Sequence, residues 1–71
     1  MVILDVLLSG KDGREICKEL KLDEKTNKIP IIMVSAHPEV RESTREVGAD
    51  FFLAKPFMPD DLLDVVGKFA N

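Results

Sequence analysis

Cysteine, basic charge and long apolar runs are all scarce in this chain, and each scarcity excludes a class of protein. A single cysteine, Cys17, among 71 residues excludes an internal disulfide and a pair of thiolate metal ligands. Lysine and arginine number 10 against 13 acidic residues, so the basic footprint of a nucleic-acid-binding protein is absent. No apolar run approaches the length of a membrane span, and the apolar start reaches Asp5 too soon for a signal peptide. We therefore expect a cytoplasmic protein that contacts neither nucleic acid nor a membrane directly.

The length of the chain allows one small domain, without internal repeats, low-complexity tracts or a linker. The apolar fraction of 45% is ordinary for a globular protein and argues against wholesale disorder. A core built from so few residues is marginal without a staple or a partner chain. The composition therefore predicts a folded domain that gains stability from association with another chain.

Three short apolar runs are typical of β-strands at about residues 2–6, 30–35 and 51–54. Each run is continuous rather than alternating between apolar and polar residues. That pattern is typical of parallel strands covered on both faces.

Helix signals occupy the intervals between and after these strands. Asp12 can cap a helix over about 13–21, Pro38 suits the first turn of a helix over about 38–47, and Pro59 opens a helix over about 59–69. Gly48 is a natural residue for the end of the second helix. The order β-α-β-α-β-α predicts an α/β fold with a parallel sheet, right-handed crossovers and helices on both faces.

A carboxylate, a hydroxyl and an ammonium group end the three predicted strands. These are Asp5, Ser35 and Lys55. Because the carboxyl ends of parallel strands lie at one edge of a sheet, we expect the three side chains to share a site there. The carboxylate can accept a phosphoryl group covalently, the hydroxyl can hydrogen-bond a phosphoryl oxygen, and the ammonium can neutralise its charge. Taken alone, Asp5 would be better explained as a turn-forming residue at a strand end; Ser35 and Lys55 together favour the phosphoacceptor interpretation.

The order of these residues, with the motifs around them, resembles the C-terminal part of a bacterial response-regulator receiver domain. The stretch Asp5 to Gly13, DVLLSGKDG, is similar to the family's phosphoacceptor loop, with Leu8 at a usual Met or Leu position and Ser9 in place of the common proline. The remaining matches are Ser35-Ala36 after the fourth family strand, Gly48-Ala49-Asp50 before the fifth, Phe52 within it, and Lys55-Pro56-Phe57 after it.

This resemblance implies a role for each matching residue. Asp5 would be the phosphoacceptor, and the phosphate-binding and switch residues would be Ser35, Ala36, Phe52 and Lys55. Pro56 would follow a cis peptide bond. The phosphoryl donor would be a sensor histidine kinase or a phosphotransfer protein, and the family's cofactor is Mg²⁺.

The resemblance also implies that part of the family's site is missing. The complete fold has five strands and is flavodoxin-like (CheY-like), whereas this chain would begin at the third strand and supply half of it. The acidic pair that holds the metal would then be absent, which leaves Asp5 and the backbone carbonyl of Leu7 as the family ligands. We expect this chain to bind no metal by itself, and to be phosphorylated weakly or not at all.

A strand that has lost its neighbour would expose unpaired backbone groups and apolar side chains. The sequence therefore predicts a two-fold homodimer, joined either along the first strand, with Val2, Ile3, Leu4 and Val6 at the edge, or by swapped elements. An alternative function is that of a self-associating half-domain with a structural role only. An enzyme with an aspartate nucleophile is disfavoured, because the second acid of such phosphatases would stand at Leu7.

Overall fold

A computed structural model describes residues 1–8 and 10–69 of the chain, with the side chain of Leu8 excepted. Ser9, at the position where the family commonly has proline, lies outside the described residues. The strands are β1 (Val2–Asp5), β2 (Leu7–Leu8), β3 (Lys11–Asp12), β4 (Ile31–Ser35) and β5 (Phe51–Ala54). The helices are α1 (Gly13–Leu22), a short 3₁₀ helix (Pro38–Val40), α2 (Arg41–Glu46) and α3 (Pro59–Phe69).

The main sheet has three parallel strands in the order β1-β4-β5. Ile3 pairs with Ile32, and Met33 pairs with Phe52, so β4 has a neighbour on each side. The predicted α/β fold with three parallel strands and three helices is confirmed. All five residues of β4 are buried, whereas those of β1 are half-buried or exposed.

The sheet carries an apolar cluster on each face. The first holds Val6, Cys17, Ile31 and Met33, and side chains from α1, the 3₁₀ helix and the end of α2 pack against it. The second holds Ile32, Val34 and Val65, with phenylalanines from β5 and α3 beside it. The alternation of side chains along a strand separates the two clusters. Helices α1 and α2 therefore lie on one face and α3 on the other.

Helix α1 begins where the sequence predicts, at the Asp12 cap. The Asp12 carboxylate accepts a hydrogen bond of 2.9 Å from the backbone N–H of Arg14, which satisfies one of the unpaired amides at a helix start. Gly13 packs against the end of β1, where a side chain would overlap the carbonyl oxygen of Asp5. The cap and the glycine together bring α1 directly against the phosphoacceptor candidate.

The second predicted helix, over 38–47, is present, but it is divided into two kinds of helix. Residues Pro38–Val40 make a 3₁₀ turn, and the α-helix covers Arg41–Glu46. Neither His37 nor Val40 caps these turns with its side chain. Gly48 follows with φ at +95°, the left-handed conformation that glycine adopts without strain. The segment is a short helix with few stabilising local contacts.

Two further features of the first strand differ from the prediction. Strands β2 and β3 pair in antiparallel fashion as a small hairpin, in which Leu7 pairs with Asp12, so the element order is not a simple alternation. Val6, which was predicted at the exposed edge, is 2% exposed and belongs to the first apolar cluster. Its N–H still donates to the carbonyl of Val34 at 2.9 Å. The sheet pairing therefore continues through Val6 while its side chain turns inward.

None of the helices in the described part of the chain is long and apolar enough to cross a membrane.

Candidate functional site

Asp5 lies at the carboxyl end of β1, opposite Val34 of the central strand. One carboxylate oxygen, Oδ1, accepts a hydrogen bond of 3.1 Å from the backbone N–H of Leu7. The other, Oδ2, accepts a hydrogen bond from the Lys55 ammonium group. The side chain keeps 29% of its surface exposed. Asp5 is therefore oriented by two donors while one side of it remains open to a reactant.

Lys55 reaches Asp5 from the other outer strand of the sheet. It follows β5, whereas Asp5 ends β1, so its side chain extends past the end of the intervening strand β4. Its own N–H donates to the carbonyl of Ser35 at 2.8 Å, which fixes the backbone from which the side chain extends. The peptide bond between Lys55 and Pro56 is cis, the geometry that the resemblance implied.

The ionised form of Asp5 is favoured by its surroundings. The hydrogen bond from Lys55 is the main cause that lowers the pKa of Asp5, and the bond from the Leu7 amide lowers it further. Both donors stabilise the negative carboxylate relative to the neutral acid. The group is accordingly anionic at neutral pH, as an oxygen nucleophile must be.

Ser35 lies at the same sheet edge but makes a different contact. It is 3% exposed, and its Oγ accepts a hydrogen bond of 3.0 Å from the backbone N–H of His37. The hydrogen bonds of the described residues join Ser35 to that loop rather than to Asp5. Ala36 next to it is exposed. The structure therefore brings Asp5 and Lys55 into contact and holds Ser35 nearby, bonded to its own turn.

Phe52 lies on β5, away from the carboxylate. It is half-buried against the first apolar cluster, and the Arg41 guanidinium lies 5.3 Å from the centre of its ring, within the range of a cation–π contact. The predicted switch aromatic is thus in contact with the start of α2.

One polar cluster near the site was missed by the sequence reasoning. Arg14 forms a fork with the Asp12 carboxylate, with contacts of 2.8 and 2.6 Å from Nε and Nη2. Its Nη1 donates to Ser43 Oγ on α2 at 2.8 Å. Arg14 and Ser43 are 29 positions apart in sequence, so no local spacing could have indicated the contact.

The residues described do not fit a magnesium ion. They contain no group of three or more acidic, histidine or cysteine side chains that could hold a metal. At the candidate site the donors are the Asp5 carboxylate, already hydrogen-bonded on both oxygens, and the Leu7 carbonyl. Mg²⁺ needs near-ideal octahedral oxygen coordination and gives up its water reluctantly. One carboxylate beside a lysine ammonium falls short of that requirement.

Comparison with known proteins agrees with this geometry. The family model of the response regulator receiver domain matches residues 1–67. The chain belongs to that family, as its motifs predicted.

Curated relatives and solved structures place the match within longer proteins. The phosphate regulon transcriptional regulatory protein PhoB of Pseudomonas aeruginosa is 43% identical over 65 residues, which are 89% of this chain and 28% of that protein. PhoB of Escherichia coli is 37% identical over the same shares. The chain therefore spans just over a quarter of the length of these relatives.

Two solved structures show how much of a receiver fold is matched. A putative response regulator from Chloroflexus aurantiacus superposes with a TM-score of 0.84 at 36% identity, covering 97% of this chain and 59% of that one. The receiver domain of a sensor histidine kinase from P. aeruginosa, described with a magnesium ion in its active-site cleft, has a TM-score of 0.79 at 28% identity, with coverage of 93% and 56%.

Proposed function

We propose that Asp5 is the phosphoacceptor of a two-component signalling protein. The observation that carries this proposal is the contact of Lys55 with Asp5 across the carboxyl edge of the sheet. In the reaction, an Asp5 carboxylate oxygen forms a bond to phosphorus while the bond from phosphorus to the donor's leaving group breaks. The electron pair of that bond leaves with the donor. The product is an acyl phosphate on Asp5.

Lys55 supports this step electrostatically. Negative charge spreads over the phosphoryl oxygens as the group is transferred, and a fixed ammonium group nearby neutralises part of that charge. Ser35 would supply a hydroxyl donor to a phosphoryl oxygen after leaving its bond to the His37 amide. On this reading the chain receives a phosphoryl group and is not itself an enzyme. The donor would be a histidine kinase or a phosphotransfer protein in the cytoplasm.

The 71 residues by themselves should be poor acceptors. The acidic pair that the family uses to hold Mg²⁺ has no counterpart among the residues described, and a single lysine does not replace a divalent ion on the transferring group. We propose that efficient phosphorylation requires acidic ligands from outside these residues. The chain thus carries the nucleophile and one cation of a divided site.

Incubation with acetyl phosphate and Mg²⁺, followed by intact-mass measurement, tests both parts. We expect at most a small fraction of a single phosphate adduct. Any adduct should be lost in Asp5→Asn and kept in Asp64→Asn, a matched change at an exposed residue of α3. A stoichiometric adduct on the wild-type chain would contradict the divided site. An adduct that survives Asp5→Asn would contradict the role of Asp5.

Self-association is a second candidate function, favoured by the exposed side chains of β1. Met1 is 44% exposed and Ile3 47% exposed, and β1 pairs on one side with β4, without a second partner among the described strands. An unpaired strand edge with apolar side chains favours pairing with another chain. We propose a two-fold homodimer along Val2–Leu4; Val6 is excluded from that surface by its burial.

Light scattering over a wide concentration range tests the dimer. The wild-type chain should have the mass of a dimer at high concentration. Ile3→Lys should shift the equilibrium to monomer, whereas Leu63→Lys, at a side chain of α3 that is 65% exposed, should not. A monomeric mass for the wild-type chain throughout would rule out this function and leave the phosphoacceptor role untouched.

A further inference from the structure

We propose that Arg14 is a positioning residue that ties helix α2 to the segment that follows Asp5. The guanidinium group contacts both Asp12, in that segment, and Ser43, on α2. It donates bidentate hydrogen bonds to the Asp12 carboxylate, and it donates to Ser43 Oγ at 2.8 Å. Arginine suits this position because its planar fork can bind a carboxylate and still present a further donor.

The Asp12 end of this contact is connected to the phosphoacceptor. Asp12 pairs with Leu7 in the small hairpin, and the Leu7 amide donates to Asp5 Oδ1. Gly13, the next residue, donates its N–H to the carbonyl of Val6 at 2.6 Å. Hydrogen bonds and strand pairing therefore connect Asp5 to Asp12 through Leu7, and Val6 directly to Gly13.

The Ser43 end of the contact lies on a helix that needs support. Helix α2 has six residues, Thr44 is the one residue in it that is buried, and no side chain caps its start. A helix this short is unstable without tertiary contacts. The Ser43 hydroxyl accepts from Arg14 and donates to the carbonyl of Val40 at 2.8 Å. Arg14 thereby orients the hydroxyl that closes the turn between the 3₁₀ helix and α2.

The consequence is a physical link between two parts of the receiver surface. A change that moves Asp12 alters the hydrogen bond from Arg14 to Ser43, and hence the stability of α2. This link does not require phosphorylation of Asp5, so its test is separate from the test of the proposed function.

Amide hydrogen exchange in the 71-residue chain measures this link. The reporters are the amides of Val47 and Ala49, which donate to the carbonyls of Ser43 and Thr44. Arg14→Ala should speed exchange at these amides about fivefold, since it removes one hydrogen bond of ordinary strength from α2. Ser43→Ala also removes the bond to the Val40 carbonyl and should speed exchange by at least as much. The double variant should exchange no faster than Ser43→Ala alone, because that change already removes the bond from Arg14.

Asp12→Asn distinguishes the positioning role of Arg14 from an effect on the stability of α1 alone. Asparagine keeps the N-cap of α1 but loses the charged fork, so exchange at Val47 and Ala49 should speed about twofold or more. That effect should vanish when Arg14 is already alanine. Asp23→Asn is the matched control: its carboxylate accepts from the Lys25 amide at the other end of α1, and its loss should leave α2 unchanged.

Two results would overturn the proposal. One is exchange at Val47 and Ala49 that changes less than twofold in both Arg14→Ala and Ser43→Ala, which would show that apolar packing alone holds α2. The other is an effect of Asp12→Asn that persists in the Arg14→Ala background. If Arg14→Ala fails to fold, Ser43→Ala and Asp12→Asn with its control decide the matter by the same amides.

Discussion

Strands β1 and β4 are both short and apolar, but they have different environments. Every residue of Ile31–Ser35 is buried, whereas Val2–Asp5 is half-buried or exposed throughout. The central strand has partners on both sides and helices over both faces. Among the described strands β1 has one partner, and α3 packs over β4 and β5 rather than over Ile3. The difference shows that neighbouring strands and helices, rather than apolar content, decide which strand forms the core.

The same comparison separates the residues that stabilise the fold from the residues proposed to take part in the reaction. The central strand supplies most of the apolar core, while the ends of the outer strands supply Asp5 and Lys55. Because both reacting side chains come from outer strands, their meeting depends on the central strand that separates them. Damage to β4 should therefore disturb the site, whereas damage to the exposed side of β1 should not.

The largest effect is expected at the paired residues Ile3 and Ile32, which are cross-strand neighbours of the same type. Ile32 is fully buried and Ile3 is 47% exposed. Ile32→Ala should lower the free energy of unfolding by about 3 to 4 kcal/mol, because it removes buried methylenes and leaves a cavity. Ile3→Ala should cost about 1 kcal/mol. Urea unfolding of the two variants, at a concentration low enough for the chain to be monomeric, measures the difference.

Ile32→Val serves as a milder variant, since a loss of several kcal/mol can unfold so small a domain. It should cost about 1 kcal/mol, while Ile3→Val should cost close to nothing. Equal losses at the two positions would show that β1 is as well covered as β4, and would contradict the contrast between the strands.

A smaller effect is expected where β1 meets α1. A methyl group on Gly13 would overlap the carbonyl oxygen of Asp5, whereas one on Gly67 of α3 would enter open space. Gly13→Ala should cost about 2 kcal/mol in unfolding free energy, the range for overpacking. Gly67→Ala should stabilise by about 0.5 to 1 kcal/mol, because alanine is the better helix former. Thermal unfolding of both variants checks the opposite signs.

The result at Gly13 sharpens the comparison of the strands. The outer side of β1 has no covering strand among the residues described, yet its carboxyl end is fixed by α1. If Gly13→Ala proved neutral, the end of β1 would be as loose as its outer side, and Asp5 would not be held in place by this contact.

Much of the fold and of the site could be predicted from the sequence. The apolar runs located the three strands, and the residues that end them located Asp5, Ser35 and Lys55 at one edge. These features depend on local pattern and on the geometry of parallel sheets. Asp12 was likewise predictable as a helix cap, because capping involves residues close in sequence.

Other features depend on contacts that no local pattern contains. Val6 lies on the same face of the chain as Val2 and Leu4, and its burial depends on Cys17 of α1, which packs on that face beside Met33. The second helix is divided into a 3₁₀ turn and an α-helix, and the α-helix is bonded through Ser43 to Arg14 of α1. The bond from Arg14 to Ser43 joins residues from two helices. Each of these needed the three-dimensional arrangement of the elements.

The contact between Asp5 and Lys55 is the central claim, and the pKa of Asp5 tests it most directly. Carboxyl ¹³C shifts of Asp5 should be followed against pH in the wild-type chain and in Lys55→Gln. We expect the wild-type pKa to lie below the ordinary aspartate value, because the ammonium group and the Leu7 amide stabilise the carboxylate.

Stability linked to this group is present above the unfolded pKa of about 3.9 and is lost as the pH falls through the lowered folded pKa. In Lys55→Gln the pKa should rise toward the ordinary value, with part of the lowering retained through Leu7. An ordinary pKa in the wild-type chain, or the same pKa in both, would contradict the proposed pairing across the sheet edge.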